Sequence, residues 1–288
     1  MSGRPVARRT RTPVPGRRTR PVRRASAGLS TIRAGAALAM LVSAAAIYGV
    51  GASAAFDYTR LQVDGLVFTD DAAVEAALAD ARGENLFRLQ TGPLQAGLET
   101  LPTVARAQVD VRLPGTLAVT IEERDPVLIW QTGQRRFLAD AEGLLFALLA
   151  GDAPPQAADL PVVDDRRPAS VGLSVGWHLD SVDVDAATRL ASLLPADVGS
   201  SAVALAVAVT DENGFVVATK PTGWSAVFGF YTPSLRTAEI IPGQVRLLRS
   251  LLIGREQLVE RVILASETDG TYVPRATPSA SPKSSTSP

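Results

Sequence analysis

With 288 residues and 46% hydrophobic content, the chain has room for one to three domains with real cores. It has no cysteine, which excludes disulfides, thiolate metal sites and cysteine nucleophiles, and a single histidine, which leaves little for catalytic or zinc chemistry. Its formal net charge of zero hides an asymmetry: residues 1–33 carry ten arginines and no acid, leaving 19 basic residues against all 29 acidic ones, a net of −10, in residues 34–288.

The first 33 residues, rich in proline and like charge, cannot pack a core and read as a disordered tail. Ten arginines could bind nucleic acid, but the tail has no aromatic residue for stacking, and the next segment explains them better. Residues 34–56, AGAALAMLVSAAAIYGVGASAAF, contain no charge and no proline. As a helix they have the length of a membrane span of marginal hydrophobicity. Arginines on one flank and Asp57 on the other predict a cytoplasmic N-terminus and an extracytoplasmic body. Ala52-Ser53-Ala54 has the form of a signal-peptidase site, so cleavage after Ala54 is the competing reading. Ala45 and Gly49 are spaced for close helix packing.

Residues 57–126 predict a strand (Leu61, Val63) ended at Gly65 and a helix capped by Asp70 or Asp71 and stopped at Gly83. A second short helix carries Leu94, Leu98 and Leu101 on one face. A hairpin follows. Ala107, Val109, Val111 and Leu113 point one way, Pro114-Gly115 turns, and Leu117, Val119 and Ile121 repeat the apolar face. The charges Glu122 to Asp125 read as a solvated strand end with a surface ion pair.

Residues 127–274 read as mainly β. Strands at 127–131 and 135–139 and a third after Gly143 form a meander, followed by a proline-rich linker and LPVVDDRR, whose Asp164-Asp165 pair reads as loop solvation. A helix capped by Asp183 or Asp185 buries Ala187, Leu190, Leu193 and Leu194. A hairpin turns at Asn213-Gly214, WSAVFGF adds a strand, and an amphipathic helix closes at Gly254 before the final strand material. Residues 275–288, low in complexity, read as a second disordered tail.

Catalytic constellations are weak. His178 with Ser174, Asp180 and Ser181 is too compressed in sequence for a triad, and Asp180-x-x-Asp183-x-Asp185 lacks calcium-loop spacing. No cofactor, metal or small-molecule site is predicted, which leaves a binding role built on exposed strand edges.

In order, Leu61-x-Val63-x-Gly65, Asn85-Leu86-Phe87, Leu101-Pro102-x-Val104, Ala107-x-Val109, Arg112-Leu113-Pro114 and Glu123-Arg124-x-Pro126-Val127 resemble the POTRA domain of the bacterial division proteins FtsQ/DivIB. FLADAEGLLF is similar to the same family's recurring strand-acid-turn-strand, and Gln244 stands where the family often has lysine. The resemblance implies an α+β protein: basic tail 1–33, transmembrane helix 34–56, POTRA domain 57–126 of β-α-α-β-β type, β domain 127–274, tail 275–288. It further implies a non-enzymatic division scaffold in the cytoplasmic membrane at the septum. Its partners would be FtsB-like and FtsL-like proteins, with FtsK-like and peptidoglycan-synthesis proteins beyond them. The implied contact is strand addition at Val262, Ile263, Leu264, Ala265 and Ser266, with Tyr272 and Val273 nearby. The alternative is a POTRA-type chaperone module of an envelope secretion system, for which no row of barrel strands follows.

Overall fold

The computed structural model describes residues 31–276. Most of the basic tail (1–30) and most of the C-terminal tail (277–288) lie outside the described residues. The chain divides into an N-terminal unit ending at Ala52 and a body beginning at Ser53.

In the first unit, α1 (Thr31–Gly51) is 21 residues long and has a mean hydropathy of 1.8 over its apolar window, enough in length and composition to cross a membrane. At 1.5 Å per residue it spans about 32 Å. It begins three residues before the predicted span and stops five before that span's end. Ala54–Phe56 instead form a 3-10 turn, and Phe56 packs against Phe87 with ring centroids 5.0 Å apart. These last residues are therefore body rather than helix.

The body opens with a three-stranded sheet. β1 (Arg60–Asp64) leads into α2 (Asp71–Ala77), then α3 (Thr91–Leu98), β2 (Val104–Arg112) and β3 (Thr116–Glu123). The strand order is β1-β3-β2. β1 runs parallel to β3, with Leu61 opposite Leu117 and Val63 opposite Val119; β2 and β3 form the antiparallel hairpin. Parallel pairing needs a crossover, which α2 and α3 provide. Their buried Val74, Leu78 and Leu98 cover Val104, Ala107, Val109, Leu117, Val119 and Ile121. Gly65 ends β1 at a φ of 96°, and a Cβ there would lie 2.2 Å from the Ile121 carbonyl oxygen, so no side chain fits. Leu113 departs from the predicted alternation: β2 stops at Arg112, and the turn leaves Leu113 52% exposed.

The charged strand end is also not what the sequence suggested. Glu122 does form an exposed pair with Arg106. Glu123, however, turns inward, and its carboxylate accepts hydrogen bonds from the backbone amides of Val67, Phe68 and Thr69 at 2.7–3.0 Å. Asp70 occupies the cap position of α2 without a side-chain capping bond, so Glu123 orders the loop entering that helix. Arg124 donates to the Pro102 carbonyl and to Asp140, whose side chain is 4% exposed and also accepts from the Leu144 amide. One dipeptide thus fixes the small sheet's loop and ties it to the next unit. Removing Glu123 strands three amides that now have a charged acceptor. Glu123→Ala is expected to cost about 2–3 kcal/mol in urea denaturation, against less than about 1 kcal/mol for Glu122→Ala.

The remaining elements form one nine-stranded sheet. β4 (Leu128–Thr132), β5 (Arg135–Ala139) and β6 (Leu145–Leu149) make the expected meander. Then come β7 (Val162–Asp165), α4 (Ser181–Ala191), β8 (Ala204–Thr210), β9 (Gly214–Lys220), β10 (Ser225–Gly229), α5 (Ile241–Leu252), β11 (Val259–Leu264) and β12 (Gly270–Pro274). The order is β12-β11-β10-β9-β8-β7-β4-β5-β6. Parallel pairs β7–β8 and β10–β11 are spanned by α4 and α5. Both helices contribute to the core built on Trp130, Phe137, Phe215, Val217 and Phe228. At the β4–β6 end the opposite face is covered too: Ile129, Leu138, Leu144 and Phe146 form a second cluster that takes in Phe68 from the small sheet.

Three expectations change here. The cap of α4 is Asp180, accepting from the Val182 amide, because Asp183 is drawn to Arg167 and Asp185 to Arg189. Leu194 lies past the helix end and is 63% exposed. Asp165 is no solvated loop residue but a fully buried carboxylate on β7.

Candidate partner-binding edge

The strand-edge reading is decided by hydrogen-bond register. β11, which carries Val262, Ile263 and Leu264, pairs in parallel with β10 on one side and antiparallel with β12 on the other. It has no free edge, and Val262 and Leu264 are buried in the core. Ala265 and Ser266 lie in the turn that follows. At this end of the nine-stranded sheet the outer strand is β12, unpaired on its far side among the described residues, and all five of its residues are exposed. Residues 262–264 are therefore interior to the sheet, and residues 270–274 form its edge strand. Of the seven residues singled out from the sequence, Tyr272 and Val273 stand on that edge, Val262, Ile263 and Leu264 lie behind it on β11, and Ala265 and Ser266 lie in the turn.

The polarity of the edge follows from the turn. The Ala265 amide donates to the Asp269 carbonyl at 2.8 Å. In an antiparallel ladder, pairs two residues apart share the same type of bonding. Ile263–Thr271 and Arg261–Val273 therefore bond inward, while Gly270 and Tyr272 turn their amides and carbonyls outward; Pro274 has no amide to offer. Tyr272 and Val273 are 40% and 43% exposed.

Several groups hold this hairpin rigid. The Ser266 hydroxyl accepts from the amides of Thr268 and Asp269, tightening the turn. At the other end of β12, the Arg275 amide donates to the Leu258 carbonyl at 2.7 Å. Behind β11, Gln244 of α5 is fully buried. Its amide nitrogen donates to the carbonyls of Phe228 and Leu264, and its oxygen accepts from the Tyr231 hydroxyl at 2.7 Å. Arg236 adds bonds to the carbonyls of Phe228, Leu264 and Ala265. Burial pushes the Tyr231 hydroxyl well above the ordinary tyrosine range, offset in part by Arg236, so it remains a donor at any physiological pH. Gln244 both donates and accepts here, which lysine cannot do, and it avoids burying a charge. The departure from the family's lysine is thus satisfied chemically. Sequence reasoning saw Gln244 only as a mismatch, and it missed Arg236 and Tyr231, whose loop carries no periodic signal.

The uncovered sheet face beside β12 is small and apolar. In register it runs Ala208, Val216, Val227, Ile263, Thr271, with Arg261 and Val273 one row along. A depression of about 410 Å³ on this face is rimmed by Asp164, Arg166, Lys220 and Arg261. Other edge strands are β1 and β2 of the small sheet and β6, two of which are occupied locally. The start of β6 exchanges backbone bonds with Gly176 and Trp177, and the Ala107 amide of β2 is taken by Glu99. His178 bridges Leu144 through its backbone, and Asp180 accepts from the Val182 amide as a helix cap.

Comparison with known proteins agrees with this architecture. The family model described as POTRA domain, FtsQ-type matches residues 56–124, the three-stranded unit. The cell division protein FtsQ of Chloroflexus aurantiacus is 26% identical over 246 residues, covering 85% of this chain and 80% of that protein. FtsQ of Chloroflexus aggregans is 27% identical over 60% of this chain and 61% of its own length, and FtsQ of Mycobacteroides abscessus 30% identical over 45% and 42%. An FtsQ-type POTRA unit, a mainly β unit behind it and an apolar helix ahead together support placing the chain with the FtsQ/DivIB family of bacterial cell-division proteins.

Proposed function

We propose that this protein is a non-enzymatic scaffold of the division machinery. It is anchored by α1 in the cytoplasmic membrane, with the basic tail in the cytoplasm and the body outside, at the septum. In this reading residues 1–30 are the cytoplasmic tail, α1 (Thr31–Gly51) the membrane segment, 53–126 the POTRA domain, 127–274 the partner-binding β domain and 275–288 a second tail. An FtsB-like protein, with an FtsL-like one, adds a strand to β12, and FtsK-like and peptidoglycan-synthesis proteins assemble around that contact. The observation that carries the reading is the β12 edge, exposed along its length and unpaired on its outer side among the described residues, on a rigidly held hairpin. Main-chain bonding at such an edge supplies affinity, and alternate side chains supply choice of partner.

The test is imaging of a fluorescent fusion in dividing cells depleted of the native protein. A midcell band and restored division are the expected result. An even membrane signal sinks the septal assignment. Capture of the FtsB-like protein from detergent extracts by the full-length chain tests the partner separately.

A further inference from the structure

We propose that one end of the body rests in the headgroup layer of the membrane, with Phe87 and Leu113 as its apolar anchors. The proposal rests on α1 being the membrane span. Three segments meet at this end. The first residues of the body, 53–59, bond to the 84–88 loop through the Leu86 amide to the Phe56 carbonyl and the Tyr58 amide to the Glu84 carbonyl. They also bond to the β2–β3 turn, where the Gly115 carbonyl accepts from the amides of Thr59 and Arg60. Phe87 is 56% exposed and packs its ring on half-buried Phe56; Leu113 on the adjoining turn is 52% exposed.

A single exposed apolar residue means little. Here an aromatic pair and a leucine converge on one end, and that end is cationic. Residues 53–60, 82–88 and 112–115 hold four arginines (60, 82, 88 and 112) against Asp57 and Glu84, on a chain that is net −10 from residue 34 onward. Apolar side chains beside arginines fit the boundary between acyl chains and lipid phosphates. The short connection keeps this end of the body within reach of the membrane surface. Phe56 is five residues beyond Gly51, at most about 18 Å of extended chain. Residues 54–56 are a 3-10 turn, which rises only about 2 Å per residue. The polar layer of one leaflet is itself about 5–8 Å deep. The occupant of this surface is therefore a phospholipid interface.

The chain's lack of cysteine allows single-site labelling of the full-length protein in phospholipid vesicles. Fluorophores at Glu84→Cys and Arg112→Cys sit beside Phe87 and Leu113 and leave both intact. Leu41→Cys in α1 is the lipid reference and Asp211→Cys in the β8–β9 turn the water reference. Strong quenching at 84 and 112 by lipid-borne quenchers, lost in Phe87→Ser/Leu113→Ser, is the expected result. Behaviour like that of site 211 overturns the proposal while quenching at 41 keeps the span. Shielding from aqueous quencher without lipid quenching overturns it in favour of a protein contact such as a second copy. A water-exposed site 41 removes the span itself, and the proposal with it.

Discussion

Tyr272→Pro is expected to weaken capture of the FtsB-like partner by about 30-fold or more while leaving the body's melting temperature nearly unchanged. Tyr272 turns its amide outward, so proline removes a donor offered to the partner and none used inside the fold. A partner carbonyl left without that donor loses about 1–3 kcal/mol, and the ring's lost contact adds to it, so about 2 kcal/mol, or roughly 30-fold, is a floor. Thr271→Pro is the contrasting variant: its amide bonds inward to Ile263, and proline there peels β12 from β11 and lowers stability along with binding. Ile263→Pro is a poor probe for the same reason, since it strikes a strand paired on both sides. Binding by pull-down or calorimetry and melting by circular dichroism separate the cases. Full affinity in Tyr272→Pro, with Thr271→Pro reducing binding only as far as it unfolds the hairpin, would rule out strand addition at this edge.

The difference between those two neighbours shows what was legible in the sequence. Alternation identified the hairpin at 104–123, the meander at 128–149 and the Asn213-Gly214 hairpin, because a strand with one buried face writes its geometry locally. Helix faces such as Leu94, Leu98 and Leu101 were equally readable. Sheet order was not. That β1 slots beside β3, or that β11 is interior while β12 is the edge, depends on pairings between residues far apart in sequence, and an apolar run reads alike in either position. Charged residues were the least legible. Glu123 and Asp165 look like surface acids, since no local pattern announces three amides 54–56 residues away or a tryptophan 35 residues away. The resemblance to FtsQ/DivIB pointed to both C-terminal strands, and only the register shows that β11 is interior and β12 the edge.

Asp165 is where stability is expected to be most vulnerable. Its side chain is fully buried at the end of β7, in the middle of the nine-stranded sheet. The carboxylate accepts from Trp130 Nε1 at 3.2 Å, the Ser170 hydroxyl at 2.6 Å, and the Arg167 amide, Nε and Nη2 at 2.8–3.0 Å. Arg167 in turn donates to Asp183 of α4 at 2.7 Å, so one carboxylate joins β4, β7, the 168–172 turn and a helix. Asp165→Ala leaves the Trp130 indole N–H without its acceptor and the Arg167 guanidinium with Asp183 alone. Losing one member of a buried pair costs about 3–5 kcal/mol, and the partial exposure of Arg167 (24%) places this case at the lower end. For a body of this size each kcal/mol is worth about 2–4 °C, so the melting temperature should fall by roughly 6–12 °C. Asp165→Leu with Arg167→Met removes both charges and should recover much of that loss, giving a large coupling in the double-mutant cycle. The pH dependence has a definite sign. Burial alone pushes the Asp165 carboxyl up, but the hydrogen bonds from Arg167 and Ser170 outweigh it and hold it below the ordinary 3.8. The unfolded chain therefore takes up the proton first. The carboxylate's contribution is whole above pH 3.8 and drains away as the pH falls through the lower folded value. Glu256, held below its ordinary 4.5 against the upward push of burial by Ser200, Ser201 and Trp224, adds a similar acid-side loss. Subtracting the stability of Asp165→Asn from that of the unaltered protein at each pH cancels Glu256. The difference should be flat above pH 3.8 and shrink below it; a difference that instead grew toward acid would mean the network does not hold Asp165 as the anion.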